Sequence, residues 1–254
     1  FNDQSPTVIM SSLADVQFDD RLRTRLFDPT RSIVCRIEAG RSSLYEKDVG
    51  IEPVMLKSMT FDLFDVGGRD GSHQTRESLR YCLDACRNFA EEPDRWLLLM
   101  GPTGTGKTHL AVAIAAESVK RGEQVMFAFV PDLLDHLRKA HGPTSRINYD
   151  QLFDKVRSVD LLVLDDLGGE SATPWADEKL YQIVVHRHNA RLPTVITTRL
   201  QLDEKGNRNG NNWNKERNRR STFDGAIGSR LKDQRVVTIL PLMASDYRDE
   251  AAQR

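Results

Sequence analysis

The chain has 254 residues, with 36 basic and 37 acidic side chains and a formal net charge of −1. That length suits one large domain or a domain with a small extension, and the even charge balance supplies no global field for nucleic acid, so local patches must carry any such contact. Three cysteines are too few for a disulfide framework, no apolar run approaches the ~20 residues of a membrane span, and no charged-then-apolar leader opens the chain, so a reducing, cytoplasmic setting without a membrane is expected.

In residues 1–59, Leu13, Val16, Leu22, Leu26 and Phe27 carry weak helical spacing that Asp28-Pro29 ends, and 33–37 reads as a short strand. No recognisable chemistry lies there, so this stretch is expected to be an N-terminal extension, and the main domain to occupy 60–254. Leu79, Leu83, Cys86 and Phe89 predict a helix over 75–90. Cys82 and Cys86, four residues apart on it, read as small buried apolar side chains rather than metal ligands.

From there strand and helix alternate. Residues 96–100 predict a buried strand, 109–120 an Ala-rich helix closed by Gly122, and 124–129 a second strand. Pro131 suits a first helical turn, continued to Ala140 by Leu133, Leu134 and Leu137. After the Gly142-Pro143 break come a helix over 149–157, a fully apolar strand over 161–164, a helix over 175–189 and a strand over 193–197. Residues 203–221 are mostly Asn, Gly, Arg and Lys, with too little apolar surface to offset ordering entropy, and are expected to be a mobile insertion. A short helix over 227–232 and a strand over 236–240 complete the pattern. Such alternation predicts an α/β fold, a parallel sheet with helices on its faces. Fewer than 60 residues follow Thr197, which leaves little or no room for a C-terminal helical lid.

Gly101-Pro102-Thr103-Gly104-Thr105-Gly106-Lys107-Thr108 is a complete G-x-x-x-x-G-K-[ST] phosphate loop between a predicted strand and a predicted helix. Its glycines let backbone N–H groups converge on phosphates, the helix N-terminus favours an anion, Lys107 supplies a mobile positive charge and the Thr108 hydroxyl can ligate Mg²⁺. His109, next in the chain, falls in the same nucleotide-contacting stretch. These residues predict a nucleoside triphosphate site.

Such a site needs an acid at the end of an apolar strand, and Leu161-Leu162-Val163-Leu164-Asp165-Asp166 provides it. Asp165 is expected to hold the Mg²⁺ hydration shell and Asp166 to orient or polarise the attacking water. The spacing leaves room for one intervening strand, the arrangement of the ASCE class of phosphate-loop NTPases. The polar strand end Thr197-Thr198-Arg199 offers a γ-phosphate sensor, with Thr198 or Thr197 as candidates. A guanine-reading N-K-x-D is not found, since the single Asn-Lys pair continues as Glu216-Arg217, so ATP rather than GTP is expected. A basic cluster, Arg138, Lys139, His141 and Arg146, surrounds Gly142-Pro143, and the insertion adds Arg208, Arg217, Arg219 and Arg220. Such a cluster is usually a solvated face, and its functional reading is a contact for DNA phosphates.

Together these motifs resemble the AAA+ helicase loaders of the DnaC/DnaI type and their transposition relatives of the IstB type, over residues 60–248. The resemblance rests on Thr60-Phe61-Asp62-Leu63-Phe64-Asp65, on the sequences at 101–115 and 161–170, on Trp175 with Glu178, on Val195 to Arg199, on Gly228-Ser229-Arg230-Leu231 and on Asp246-Tyr247-Arg248. It implies a P-loop ATPase, weak and stimulated by oligomerisation or DNA, with Arg230 as an arginine finger reaching a neighbouring subunit's nucleotide and Arg248 as a second arginine on the bound phosphates. It implies a homo-oligomer, single-stranded DNA and a replicative helicase, or a transposase, as partners. The family's extra helix between the nucleotide motifs matches the two helices predicted over 131–157. Arg199 stands where many loaders carry Asn. A nucleotide-gated binding module with negligible turnover is the remaining alternative.

Overall fold

The structure is a computed structural model, and it describes residues 50–67, 72–141, 148–169, 173–199 and 225–247. The expected N-terminal helix and strand, the insertion at 203–221, Arg146 and Arg248 lie outside the described residues. In chain order the elements are α1 (Pro53–Ser58), α2 (His73–Glu91), β1 (Trp96–Met100), α3 (Lys107–Lys120), β2 (Val125–Phe129), α4 (Val130–Ala140), α5 (Tyr149–Ser158), β3 (Leu161–Leu167), α6 (Pro174–Ala190), β4 (Thr194–Thr198), α7 (Ala226–Leu231) and β5 (Val237–Pro241).

The strands form one parallel sheet in the order β2-β3-β4-β1-β5. Strand β4 sits between the phosphate-loop strand β1 and the acidic strand β3. From β1 the chain crosses to the far edge at β2, and only β5 lies on the other side of β1. Connections thus leave β1's neighbourhood in opposite directions, and the crevice at its C-terminal end is the place where such sheets take ligands.

Side chains alternate across the sheet and build two cores. Trp96, Leu98, Met126, Leu162, Leu164 and Ile196 face a core shared with α4, α5, α6 and α7. Leu97, Leu99, Phe127, Leu161, Val163 and Val195 face the other, with α2 and α3. Helix α3 is buried along a continuous run from Leu110 to Ala115, because it is wedged between sheet and α2. Each fully buried leucine contributes about 2 kcal/mol relative to exposure. Met55, Leu56 and Met59 pack against this second core, so α1, a helix too short to read from spacing, joins the core ahead of Thr60.

Local signals fix the helix starts. Ser72 Oγ accepts from the Thr75 N–H at the start of α2, Asn148 Oδ1 accepts from the Asp150 and Gln151 N–H groups at α5, and Thr173 caps α6 ahead of Pro174. Arg187 on α6 is fully buried. Its Nη1 donates to the carbonyls of Arg157 (3.0 Å) and Val159 (2.9 Å), Nη2 to Pro193 (2.6 Å) and Nε to Thr194 Oγ1 (3.0 Å). Burial pulls its guanidinium down to about 9, with the Asp160 charge opposing. This one side chain ties the end of α5 and the approach to β3 to the start of β4. Cys82 and Cys86 are buried thiols on α2, and burial pushes the Cys82 thiol up to about 11.

Strand β3 runs three residues past the predicted end at Leu164. Its register against β4 shifts between Leu164 and Leu167, and Asp166 takes φ +59° at this bulge. The insertion of an unpaired residue there re-aims the two aspartates.

Candidate nucleotide site

At the C-terminal edge of β1, β3 and β4 lies a cavity of about 660 Å³. Thr103 to His109 form its floor, Asp165, Asp166, Thr197 and Arg199 one wall, and Met55, Met59, Leu63, Phe64, Phe129 and Tyr247 its more apolar surroundings. Gly101, Gly104 and Gly106 all have positive φ. A Cβ on Gly106 would lie 2.6 Å from Phe64 Cε2 and would strain a backbone at φ +94°, so only glycine allows this chain path.

Within the loop, Lys107 Nζ donates to the Pro102 carbonyl (2.6 Å), as does Thr105 Oγ1 (3.0 Å). The lysine is almost wholly buried, folded back over the cradle its N–H groups would share with phosphate. Thr108 Oγ1 donates to the Asp165 carboxylate, 3.0 Å from Oδ1 and 3.1 Å from Oδ2. Thr197 Oγ1 donates to Asp165 Oδ1 at 2.6 Å and accepts the Asp166 N–H at 2.9 Å. Burial pushes the Asp165 carboxyl above its ordinary range. The Thr197 and Thr108 hydroxyls and the Lys107 charge pull it back, while the Asp166 charge pushes it further up.

Two hard oxygen donors on rigid elements, Thr108 and Asp165, beside a glycine cradle fit Mg²⁺ bound together with phosphates, since this ion takes one or two protein ligands and keeps its remaining sites for phosphate and water. Among the described residues no cluster of three or more His, Cys, Asp or Glu side chains competes as a metal site.

Thr198 does not face this cavity. Its hydroxyl donates to the Leu167 carbonyl at 2.8 Å within the opposite core layer, and Thr197 and Arg199, two residues apart, face the site instead. The placement of Thr198 as a γ-phosphate sensor is corrected accordingly. Arg199 forks onto Asp166, Nε to Oδ1 at 3.0 Å and Nη2 to Oδ2 at 3.2 Å. The period-2 alternation of β4 puts Val195, Thr197 and Arg199 on one face, and the sequence alone does not say which face meets the phosphate loop.

The other candidates lie apart. Arg230 does not line the cavity. Its Nη1 donates to Ala226 within α7, and its guanidinium lies over the Tyr181 ring at 5.8 Å. Arg138 pairs with Asp135 at 3.4 Å and lies over the Trp175 ring at 5.0 Å, Lys139 is exposed, and His141 packs 5.1 Å from the Tyr149 ring. His109 Nε2 is 2.7 Å from the Thr60 carbonyl, which can only accept, so this nitrogen carries the proton, and the ring meets Phe64 edge-on. The last described residue, Tyr247, donates its N–H to the Gly104 carbonyl at 3.2 Å and so lies against the phosphate loop.

A strand, glycine loop and helix facing a buried acid two strands away, with one strand between, define a P-loop NTPase of the ASCE arrangement. The sequence profile of the family described as IstB-like ATP binding protein matches residues 80–212, more than half of the chain, and the chain belongs to this family. It is 30% identical over 133 residues to the replicative helicase loader DnaC of Buchnera aphidicola subsp. Schizaphis graminum, covering 51% of this chain and 53% of the loader. It is 35% identical over 104 residues to an ATP-binding protein of insertion sequence IS1162 from Pseudomonas fluorescens, covering 41% and 43%. The chain thus spans about half the length of the curated relatives it matches. Among solved structures, a crystal structure of the DnaC helicase loader aligns with TM-score 0.54 at 24% identity over 74% of this chain and 98% of that one, a likeness of fold. Among the described residues no helix is long and apolar enough to cross a membrane.

Proposed function

We propose that this chain is a cytoplasmic ATPase that uses ATP binding and hydrolysis to load or remodel a replicative helicase on DNA. The observation that carries the chemistry is the buried Asp165 carboxylate, which receives both the Thr108 and the Thr197 hydroxyls beside Lys107. Lys107 and the loop N–H groups bind the phosphates, and a Mg²⁺ held by Thr108 and Asp165 would neutralise part of their charge. Asp166 accepts a proton from the attacking water. The water oxygen bonds to the terminal phosphorus as the bond to the bridging oxygen breaks, and that electron pair leaves with ADP. Likeness to helicase loaders over half of their length supports the partner. Residues 1–59 would read that partner, 60–254 would form the ATPase domain with the insertion at 203–221, and Arg230 would complete the site of a neighbouring subunit in a homo-oligomer. Arg248, placed by the resemblance, would contact the nucleotide, and Arg138, Lys139, His141 and Arg146 would contact single-stranded DNA.

A second reading, a transposition helper that binds DNA and recruits a transposase, is favoured by the 35% identity to the insertion-sequence protein. The test is co-sedimentation of the full chain with a purified replicative helicase, and separately with a purified insertion-sequence transposase, each with ATP, ADP or no nucleotide. ATP-dependent capture of the helicase supports the first reading; capture of the transposase alone replaces it with the second. Binding of ATP with no turnover under any condition would leave a nucleotide-gated module.

A further inference from the structure

Met55, Met59, Leu63 and Phe64 supply an apolar side of the cavity, and all four come from α1 and the turn that follows it. In that turn Phe61 and Phe64 are buried in the core shared with α2 and α3, whereas Leu63 is 60% exposed. The Leu63 N–H donates to the Thr60 carbonyl at 3.2 Å, and His109 Nε2–H donates to the same oxygen at 2.7 Å. The Phe64 ring meets the imidazole edge-on, with centroids 5.3 Å apart, and rests against Gly106. Gly106 is the N-cap of α3, so Lys107, Thr108 and His109 are the first three residues of that helix, closed into one turn by the Leu110 N–H on the Gly106 carbonyl at 3.0 Å. A single turn thus carries the phosphate lysine, the metal hydroxyl and the hydrogen bond to the apolar wall.

We infer that His109 is a positioning residue: through the Thr60 carbonyl it ties the apolar wall to the phosphate loop, so that the nucleoside half of a bound triphosphate meets its wall in place only while this hydrogen bond is made. The inference rests on the nucleotide reading above, and it assigns the imidazole to the wall rather than to the nucleotide itself. Phosphates are held by Lys107 and the N–H groups of the loop, and they do not need the wall. A flat heterocyclic base does, because its faces are apolar and its affinity comes from the surfaces packed against them. Burial of Phe61 and Phe64 anchors the turn from below, so loss of the hydrogen bond frees the exposed Leu63 side without unfolding the segment. The imidazole therefore divides the site into two halves, one that it supports and one that it does not touch.

The test is displacement of a fluorescent ATP analogue from the full chain by unlabelled ATP and by inorganic tripolyphosphate, which carries the phosphates without a nucleoside. His109→Phe keeps a ring beside Phe64 and removes the donor, while His109→Gln keeps a donor at about the reach of Nε2. His109→Phe should weaken ATP about three- to tenfold, the net worth of one hydrogen bond, and leave tripolyphosphate unchanged. His109→Gln should recover the ATP affinity. Leu63→Ala, at an exposed position, should weaken ATP alone, and its effect should shrink in the His109→Phe background, where the wall is already out of place. Equal weakening of ATP and tripolyphosphate by His109→Phe would overturn the inference, because the residue would then support the phosphate loop itself. So would no weakening of ATP, no recovery in His109→Gln, or an undiminished effect of Leu63→Ala beside His109→Phe. Lys107→Ala separates the two levels. If the wild type shows no Lys107-dependent ATP binding, the nucleotide reading itself falls, whereas Lys107-dependent binding without the split between ATP and tripolyphosphate overturns the role of His109 alone.

Discussion

Replacing Thr197 by Val keeps the β-branched shape and removes one hydroxyl, so no cavity forms and the polar loss stands alone. That hydroxyl donates to a buried carboxylate at 2.6 Å and accepts the Asp166 N–H at 2.9 Å. A hydrogen bond to a charged group is worth about 1.5–3 kcal/mol, and an N–H left without its acceptor costs about 1–3 kcal/mol. Allowing for partial exposure of the N–H, the variant should lose about 2–4 kcal/mol, a fall of roughly 5–15 °C in Tm for a chain of this size. The loss should depend on pH with a definite sign. Burial already raises the Asp165 carboxyl, and Thr197 lowers it, so the variant raises it further. A carboxyl raised in the folded state favours folding while protonated, and that stability is lost as pH climbs from the unfolded value to the folded one. The deficit of Thr197→Val should therefore be largest near neutrality and shrink in acid, where Asp165 is protonated and the charge-assisted share disappears. Mg²⁺-dependent nucleotide affinity should weaken in parallel, with its acid limb moved to higher pH. Thr198→Val is the control, since it removes a hydroxyl that donates to the Leu167 carbonyl and should cost about 1 kcal/mol independently of pH. Thermal melts from pH 4.5 to 8 decide the matter. Identical, pH-independent losses in the two variants, with nucleotide affinity intact in both, would refute the coupling of Thr197 to Asp165.

Lys107→Ala should abolish binding of a fluorescent ATP analogue, and unchanged affinity would sink the phosphate-loop assignment. Asp166→Asn should keep binding and lose hydrolysis, measured as phosphate release, because in the proposed reaction this carboxylate would act on the water and not on the ground-state phosphates. Arg187→Met should cost about 3–5 kcal/mol in thermal melts by stripping donors from the carbonyls of Arg157, Val159 and Pro193, while nucleotide affinity in the cold stays put; a loss under about 1 kcal/mol would mean those carbonyls find other partners. Subunits carrying Arg230→Ala and Lys107→Ala should each be inactive and should regain ATPase activity when mixed. No recovery at any ratio would end the case for an arginine acting across subunits.

The alternation of strands and helices was legible because each strand is a short apolar run bounded by glycine, proline or a cap, and the phosphate loop because its chemistry leaves few residue choices at each position. The end of β3 was not legible. An apolar run stops at Leu164, while the strand carries two aspartates onward because Thr108, Thr197 and the bulge supply their polar partners. The choice between Thr197 and Thr198 was open for a related reason: a one-residue slip in register exchanges every side chain of a strand between faces, and two adjacent threonines give no hydrophobic asymmetry to settle it. Arg187 reads as one more polar residue on a helix. Its burial depends on carbonyls at the end of α5 and the start of β4, groups that no local pattern can bring together.

Backbone strain is distributed unevenly in this fold, and its distribution supports the site. Among the described residues, Asp166 and Arg191 are the non-glycine positions with positive φ. Arg191 caps the C-terminus of α6, where a left-handed residue is the ordinary way to end a helix. Asp166 has no such excuse: it sits inside a strand, next to a buried carboxylate whose burial opposes its charge. Holding a side chain in that backbone region costs about 1–3 kcal/mol, and it persists only where the surroundings over-determine it. Here the surroundings are the Thr197 hydroxyl, the Gly169 turn and two well-packed cores on either face of the sheet. A strand with nothing to do at this edge would pair regularly through Leu167 and point its acids at water. The bulge instead sends one aspartate inward toward Thr108 and leaves the other at the cavity wall within reach of Arg199, the separation of roles that metal holding and water activation require.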